Sequence, residues 1–252
     1  MKLIFILFFT GSSRSVSSSD EAVINRVYNN INVFDLETAV METKKLSNEN
    51  RGDTISQIVQ KLTKNGQHNI IEYAFKLWND GGKEIIKRHF PIQFRMLFDQ
   101  NSVKIINRRD NLALKLGMAV DSDGDRIAYG TGRDTNSIRV SWKFIPISDG
   151  PRVYFKILNV HRNQYLKLGV GPDGDGEYKG YSETASNTFR HQWYLRPVSY
   201  DGSLLFYIFN REHNQALKLG RAEDGMGDRL VWGQNGEVNG KPDMFGWSIK
   251  PF

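Results

Sequence analysis

Two periodicities divide the chain. From Ser19 to Phe90 apolar residues recur at intervals of three and four, the spacing that gathers them on one face of an α-helix. A first helix carries Ala22, Val23, Val27 and Ile31, with Ser19 and Asp20 as N-cap candidates. A second starts near Asp35 and holds Leu36, Ala39, Val40 and Leu46. A third follows Asp53, aligns Ile55, Ile58, Val59 and Leu62, and stops at Asn65-Gly66. A fourth holds Ile70, Ile71, Ala74, Phe75, Leu77 and Trp78. After the turn Asn79-Asp80-Gly81-Gly82, a short fifth with Ile85, Ile86 and Phe90 ends at Pro91. Each is amphipathic, so residues 19–98 are expected to form a small all-α helical bundle.

Beyond residue 102 the apolar spacing becomes two, the period of a β-strand. The segment from Asn107 to Gly117 returns from Asn159 to Gly169 and again from Asn210 to Gly220, each time as N-x3-N-x2-L-K-L-G. Each copy closes on W-x-φ-x-P, beginning at Trp142, Trp193 and Trp247. Between these landmarks lies an acidic, glycine-rich turn: Asp121 to Asp125, Asp173 to Glu177, Asp224 to Asp228. Three landmarks in the same order in three copies mark an internal repeat. Each copy reads as four short strands, twelve in all, with the Leu-Lys-Leu run placing two leucines on one face and lysine on the other. Propellers need more blades and solenoids need capping units. Three self-closing units leave a β-trefoil over residues 99–252, with repeats of about 102–150, 151–200 and 201–252. The expected fold class is therefore α+β with two domains, a helical bundle followed by an all-β β-trefoil.

The first residues add a compartment. Lys2 precedes the apolar run Leu3 to Phe9, and a Gly/Ser-rich stretch follows from Gly11 to Ser19. A positive start, a short apolar core and small residues predict a secretory signal over residues 1–18, cut between Thr10 and Ser18, and a secreted product. Seven apolar residues are too few to cross a bilayer as a helix. The chain of 252 residues has no cysteine, so neither disulfides nor thiolate zinc sites are available. Its formal net charge of +6 is spread among acidic residues without a long basic run, which argues against a nucleic-acid partner.

Little in the chain points to catalysis. The acidic turns share the alternate Asp spacing of a calcium loop, but Arg126 and Gly132 stand where that loop needs glycine and a bidentate glutamate. The five histidines lack metal-ligand spacing, and no nucleophile elbow, phosphate loop or paired-carboxylate signature occurs. The expectation is no enzyme, no cofactor and no metal. Two binding surfaces are candidates. Aromatic residues beside the acidic turns suit sugar, whose apolar face stacks on rings while carboxylates accept its hydroxyls. Tyr129, Lys179 and Trp232 precede a glycine in the three copies, with Tyr181 near the second. The candidate carbohydrate-binding residues are Tyr129, Tyr181, Trp232, Asp123, Asp175 and Asp228. The lectin pattern of a glutamine two residues before the closing Trp is absent, Val140, His191 and Phe245 standing there. Phe75, Trp78, Phe90, Phe94 and Phe98 are candidates for a lipid-binding groove between the domains, against the plainer reading of core and joint. Arg51-Gly52-Asp53 spells an adhesion tripeptide, but reads better as a helix end and the next helix's N-cap.

Phe75-Lys-Leu-Trp78, Phe90-Pro-Ile-Gln-Phe94-Arg95, Asn111 to Gly117, Val140-Ser-Trp-Lys-Phe144, Asn210-Arg211 and the terminal Lys250-Pro-Phe252 occur together in this chain. In that combination it resembles the low-molecular-weight (30-kilodalton) lipoproteins of moth haemolymph, over nearly all of its length after the leader. The resemblance implies a secreted storage protein with a helical domain before a β-trefoil. It also implies lipid and carbohydrate binding, and uptake by fat body and egg, hence a cell-surface uptake receptor. No ligand residue carries over from it. The expectation is a haemolymph storage and carrier protein for a lipid or other hydrophobic molecule. The alternative is a lectin-like trefoil recognising glucans or microbial surfaces.

Overall fold

The structure, a computed structural model, describes residues 18–133, 135–184, 188–236 and 238–252. Apart from Ser18, the expected leader lies outside them. Six helices come first: α1 (Ser18–Asn32), α2 (Leu36–Asn48), α3 (Gly52–Lys64), α4 (Ile70–Asn79), α5 (Lys83–His89) and α6 (Ile92–Phe98). Most of the periodic residues are buried, for example Val27 and Ile31 of α1 and Ile55, Ile58, Val59 and Leu62 of α3, but in the first turns of α1 Ile24 is the buried residue while Ala22 is exposed and Val23 half-buried. Asp35 caps α2 as expected, its carboxylate accepting the Thr38 N–H at 3.2 Å. No helix among the described residues is long and apolar enough to cross a membrane.

Two local expectations change. Asp53 lies inside α3, not at its cap, and Gly52 is the first helical residue; it is Asn50, with φ of 57°, that takes the left-handed position after α2. A Cβ on Gly52 would sit 2.7 Å from the His89 ring, so the glycine permits a close helix–helix approach. Arg51 is ion-paired to Asp20, which removes its guanidinium from any adhesion role. The second change is α6, hidden from the periodicity by Pro91. Proline ends α5 and also begins the next helix, because the first turn of a helix needs no N–H from it and its φ of −50° is already suitable.

Twelve strands follow: β1 (Val103–Asn107), β2 (Ala113–Leu116), β3 (Arg126–Thr131), β4 (Trp142–Asp149), β5 (Arg152–Asn159), β6 (Gln164–Pro172), β7 (Tyr178–Glu183), β8 (Trp193–Tyr200), β9 (Ser203–Asn210), β10 (Ala216–Glu223), β11 (Arg229–Gln234) and β12 (Trp247–Pro251), with a short helix α7 (Pro242–Phe245) before the last. All pairings are antiparallel. Six strands form a closed ring in the order β1, β4, β5, β8, β9, β12 and back to β1. The hairpins β2–β3, β6–β7 and β10–β11 meet in a second closed set through β3–β7, β7–β11 and β11–β3. Closure leaves few exposed strand edges. The molecule is thus a set of N-terminal helices followed by a large antiparallel β part.

The repeated sequence letters have repeated jobs. The indole N–H of Trp142, Trp193 and Trp247 donates to the carbonyl of Leu114, Leu166 and Leu217 at 2.7, 3.0 and 2.9 Å, with all three rings fully buried. The amide of Asn107, Asn159 and Asn210 donates to a backbone carbonyl ahead of the closing Trp at 3.0, 2.9 and 2.7 Å. Asn111, Asn163 and Asn214 hold the left-handed backbone of each turn, with φ of 53°, 52° and 51°.

The helices sit directly on the β part. Phe94 meets Phe206 edge-to-face at 6.3 Å, Phe98 stacks on Phe155 at 6.4 Å, and one cluster of buried residues spans both parts, with a smaller one around Tyr207, Phe209 and Phe245 in the β part. Because the core is shared, Phe98→Ala is expected to cost about 3–5 kcal/mol. Helical circular dichroism and near-ultraviolet aromatic signals should still fall in one urea transition; two separated transitions would show that the joint does not couple the parts.

Candidate functional site

The lysine of each Leu-Lys-Leu run does not point freely to solvent. Lys115 and Lys167 are buried, and each of the three lysines reaches the last carboxylate of the preceding copy's acidic turn. Lys115 pairs with Asp228, Lys167 with Asp125 at 2.5 Å, and Lys218 with Glu177 at 2.6 Å. The turns are rigid enough to hold these carboxylates. In each, the first aspartate (Asp121, Asp173 or Asp224) accepts two N–H groups from residues two and four further on, at 2.8–3.0 Å. Gly124, Gly176 and Gly227 supply the positive φ.

Strand register then decides which aromatics are equivalent. Lys115 lies opposite Tyr129, Lys167 opposite Tyr181 and Lys218 opposite Trp232. All three copies therefore keep a ring beside the lysine. Lys179, the residue that precedes a glycine in the second copy, belongs elsewhere: it pairs with Trp232 across β7–β11, its ammonium 5.3 Å from that ring. Counting four residues from Asp125, Glu177 and Asp228 would have found the equivalence, whereas counting from the glycine misses it. The carboxylates separate likewise. Asp123 and Asp175 are exposed and equivalent, with Met226 in the third copy, while Asp228 is buried in its ion pair and matches Asp125 and Glu177.

The largest described cleft, about 600 Å³, forms around the second copy. Lys167 lies at its floor, Asp121, Asp123 and Asp125 line it from the first copy, and Tyr181 and Trp232 supply rings. Lys167 and Glu183, which the sequence alone did not single out, complete it; their Nζ and Oε2 are 2.8 Å apart. Burial pushes Asp125 up in pKa although Lys167 opposes it. For Glu183 burial acts upward too, but Lys167, His191 and Arg190 together hold it below the usual range. His191 is fully buried, with Nδ1 3.0 Å from the Thr188 hydroxyl. Its Nε2 is 3.1 Å from Glu183, out of hydrogen-bond geometry. Burial lowers its pKa to about 4, so it is neutral at neutral pH. The first copy's equivalent cleft, about 340 Å³, has Met118 and Met226 together with Arg133 and Arg139 around Lys115 and Tyr129, and keeps the carboxylates of Asp224 and Asp228.

Phe75, Trp78, Phe90, Phe94 and Phe98 do not line an open groove. Phe98 packs on Phe75 and Trp78 at 5.5 and 5.8 Å, Phe90 on Phe94 at 5.4 Å, and the set continues into Phe155 and Phe206. Their own rings fill the space that a ligand would need. Among the described residues no group of three or more His, Asp or Glu side chains is disposed to hold a metal ion.

Comparison with known proteins bears on what such a molecule is. The family model described as lepidopteran low molecular weight (30 kD) lipoprotein matches residues 21–251. Microvitellogenin of Manduca sexta is 54% identical over 226 residues, 90% of this chain and 91% of that protein. Low molecular mass lipoprotein 3 of Bombyx mori is 41% identical over 252 residues, 99% of this chain and 98% of that one. Among solved structures, a Caenorhabditis elegans protein of unknown function aligns with a TM-score of 0.47 at 13% identity, over 60% of this chain and 94% of its own.

The buried His191 makes acid stability testable. In the unfolded chain its imidazole takes a proton near pH 6.5, in the folded one only near 4. Between these values the unfolded state holds more protons, so stability is full above about pH 6.5 and falls as pH drops toward 4. Replacement by the neutral His191→Gln should remove up to ~3 kcal/mol of that fall. Thermal denaturation from pH 7.5 down to 4.5 reads it; part of the slope should persist, because burial also lowers His68, His89 and His213.

Proposed function

We propose, on the premise that the chain belongs to the lepidopteran low molecular weight (30 kD) lipoprotein family, that it is a secreted storage and carrier protein of the haemolymph with a carbohydrate-binding cleft between Tyr181 and Trp232. We further read its β part as a β-trefoil over residues 99–252, behind a helical domain over residues 19–98. The closed ring of six strands, the three linked hairpins and the threefold Trp, Asn and Lys anchors support that reading.

One observation carries the sugar reading: two aromatic rings and a cluster of exposed carboxylates line a single open cleft of about 600 Å³. A pyranose has an apolar C–H face for Tyr181 or Trp232 and equatorial hydroxyls for Asp121, Asp123 and Asp173. Lys167, held by Asp125 and Glu183, is a fixed donor at the floor. Glucans, presented on microbial surfaces or as soluble polysaccharide, match this chemistry. The cleft around Tyr129 has Met226 where the larger one has Asp123 and is lined by fewer carboxylates, which favours the second copy as the working site.

The carrier role rests on the family description and on the aromatic joint between the helices and the β part. A hydrophobic ligand held there has to part Phe75, Trp78, Phe90, Phe94 and Phe98 from one another, so this reading requires an opened form of the joint. Uptake into storage tissue calls for a receptor, whose contact surface the geometry does not single out.

Two measurements test these readings. Trp232→Ala and Tyr181→Ala should each weaken retention on immobilised β-glucan about tenfold, the ~1.4 kcal/mol of one lost stacking platform. Retention that is unchanged in both, or absent in the wild type, removes the sugar site. Native protein purified from haemolymph without detergent should release lipid on organic extraction, identified by mass spectrometry; a clean extract refutes the carrier role while leaving the sugar reading standing.

A further inference from the structure

The three junctions between copies provide an internal comparison. Each sets the first residue after an acidic turn against the hairpin turn of the following copy. Register makes the three equivalent: Arg126 opposite Ser182, Tyr178 opposite Gly233, Arg229 opposite Gly130. Between the second and third copies Tyr178 stacks on His213, ring centroids 3.8 Å apart and planes 15° from parallel. Between the third and first, Arg229 Nη1 lies 3.0 Å from Asp110 Oδ1. The arginine of the third junction is thus ion-paired, while the second junction is a ring stack in which His213 Nε2 is also buried without a hydrogen-bond partner. Between the first and second copies the corresponding residues are Arg126 and Arg162, two cations close enough that Arg162 lowers the pKa of Arg126, after the larger effect of burial.

A third arginine, Arg139, reaches the same stretch of backbone as Arg126. Arg139 Nη2 donates to the Leu116 carbonyl at 3.3 Å, and Arg126 Nη1 donates to the next two carbonyls, of Gly117 at 3.4 Å and of Met118. His161 adjoins Arg162 in the turn, and burial, followed by the charges of Arg162, Arg139 and Arg126, lowers its pKa. No carboxylate of the described residues lies within 4.0 Å of Arg126, Arg139 or Arg162. Their three Nε atoms are buried without a hydrogen-bond partner, half of the six such side-chain atoms among the described residues. The side chains themselves are only half buried, so an ion can reach them.

Buried N–H donors left unmade and like charges held together are both costly, and one group relieves both. It must be anionic and must offer acceptors in several directions. A planar carboxylate serves one guanidinium fork, whereas a tetrahedral phosphate has three acceptor oxygens for three forks. We propose that Arg126, Arg139 and Arg162, with His161 at the rim, form a binding site for a phosphate group, free or carried on a lipid headgroup. The site lies at the first junction and is independent of the sugar reading, which uses the opposite charge.

The neighbouring junctions supply the variants. Arg162→Asp copies the Arg229–Asp110 pair, and Arg126→Tyr with Arg162→His copies the Tyr178–His213 stack, so both changes reproduce contacts the fold already accepts. Inorganic phosphate added to the intact chain at fixed ionic strength should raise its melting temperature where chloride does not, and should move the His161 ring signals in NMR spectra. Both variants should be stable without phosphate and should lose the response, with affinity by calorimetry down at least about tenfold. Phosphatidylcholine vesicles with and without phosphatidic acid separate the sources. Retention that needs phosphatidic acid and Arg162 assigns a lipid headgroup; phosphate binding without vesicle retention assigns free phosphate. The absence of any phosphate-specific shift in the wild type, or an equal shift in wild type and both variants, overturns the site.

Discussion

A lysine in each copy is held by a carboxylate from the copy before it, and this cyclic exchange constrains everything else in the β part. Lys115, Lys167 and Lys218 sit in strands whose leucines face the core, so their ammonium groups are drawn inward with the backbone. A buried charge without a partner is far more costly than a paired one, and each partner comes from a different copy. A change of register between copies would separate all three pairs, two of which hold buried lysines. The ion pairs therefore act on register and specificity more than on net stability. Their cost is offset by the surrounding tryptophans, leucines and phenylalanines.

The same exchange builds the cleft. A turn that must present its last carboxylate to the neighbouring lysine also presents its earlier carboxylates at the surface, and the residue opposite the lysine is an aromatic in every copy. Each junction thus brings a ring and surface carboxylates together as a by-product of folding. What distinguishes the copies is the side chains free of that duty. Glu183 adds a second acceptor for Lys167, and Met118 and Met226 make the first copy's cleft more apolar. At the first junction Arg162 stands where the other copies place Asp110 and His213. Symmetry supplies the scaffold, and departures from it supply chemistry.

The helices are not an appendage to this scaffold. α6 lays Phe94 and Phe98 against Phe206 and Phe155, so one buried cluster runs from the helices into the β part. Membership in the lipoprotein family draws attention to this joint, and its rings occupy the space fully.

By itself the sequence determined the number of helices up to Pro91, the threefold β architecture with four strands per copy, and the family. These depend on local rules: apolar spacing of three and four or of two, asparagine in left-handed turns, and a tryptophan closing each copy. Tertiary structure alone decided which residues meet. Lys115 finds Asp228 from 113 positions away, and no local pattern records such a pairing. Strand register, not distance from a glycine, made Tyr181 the counterpart of Tyr129 and Trp232. Packing against the β part turned the aromatic set into a filled joint and gave Pro91 a second role at the start of α6. Spacing along the chain specifies the elements, and only their docking brings charges and rings from different copies into contact, which is why the helices and strands were readable in the sequence while the contacts between copies were not.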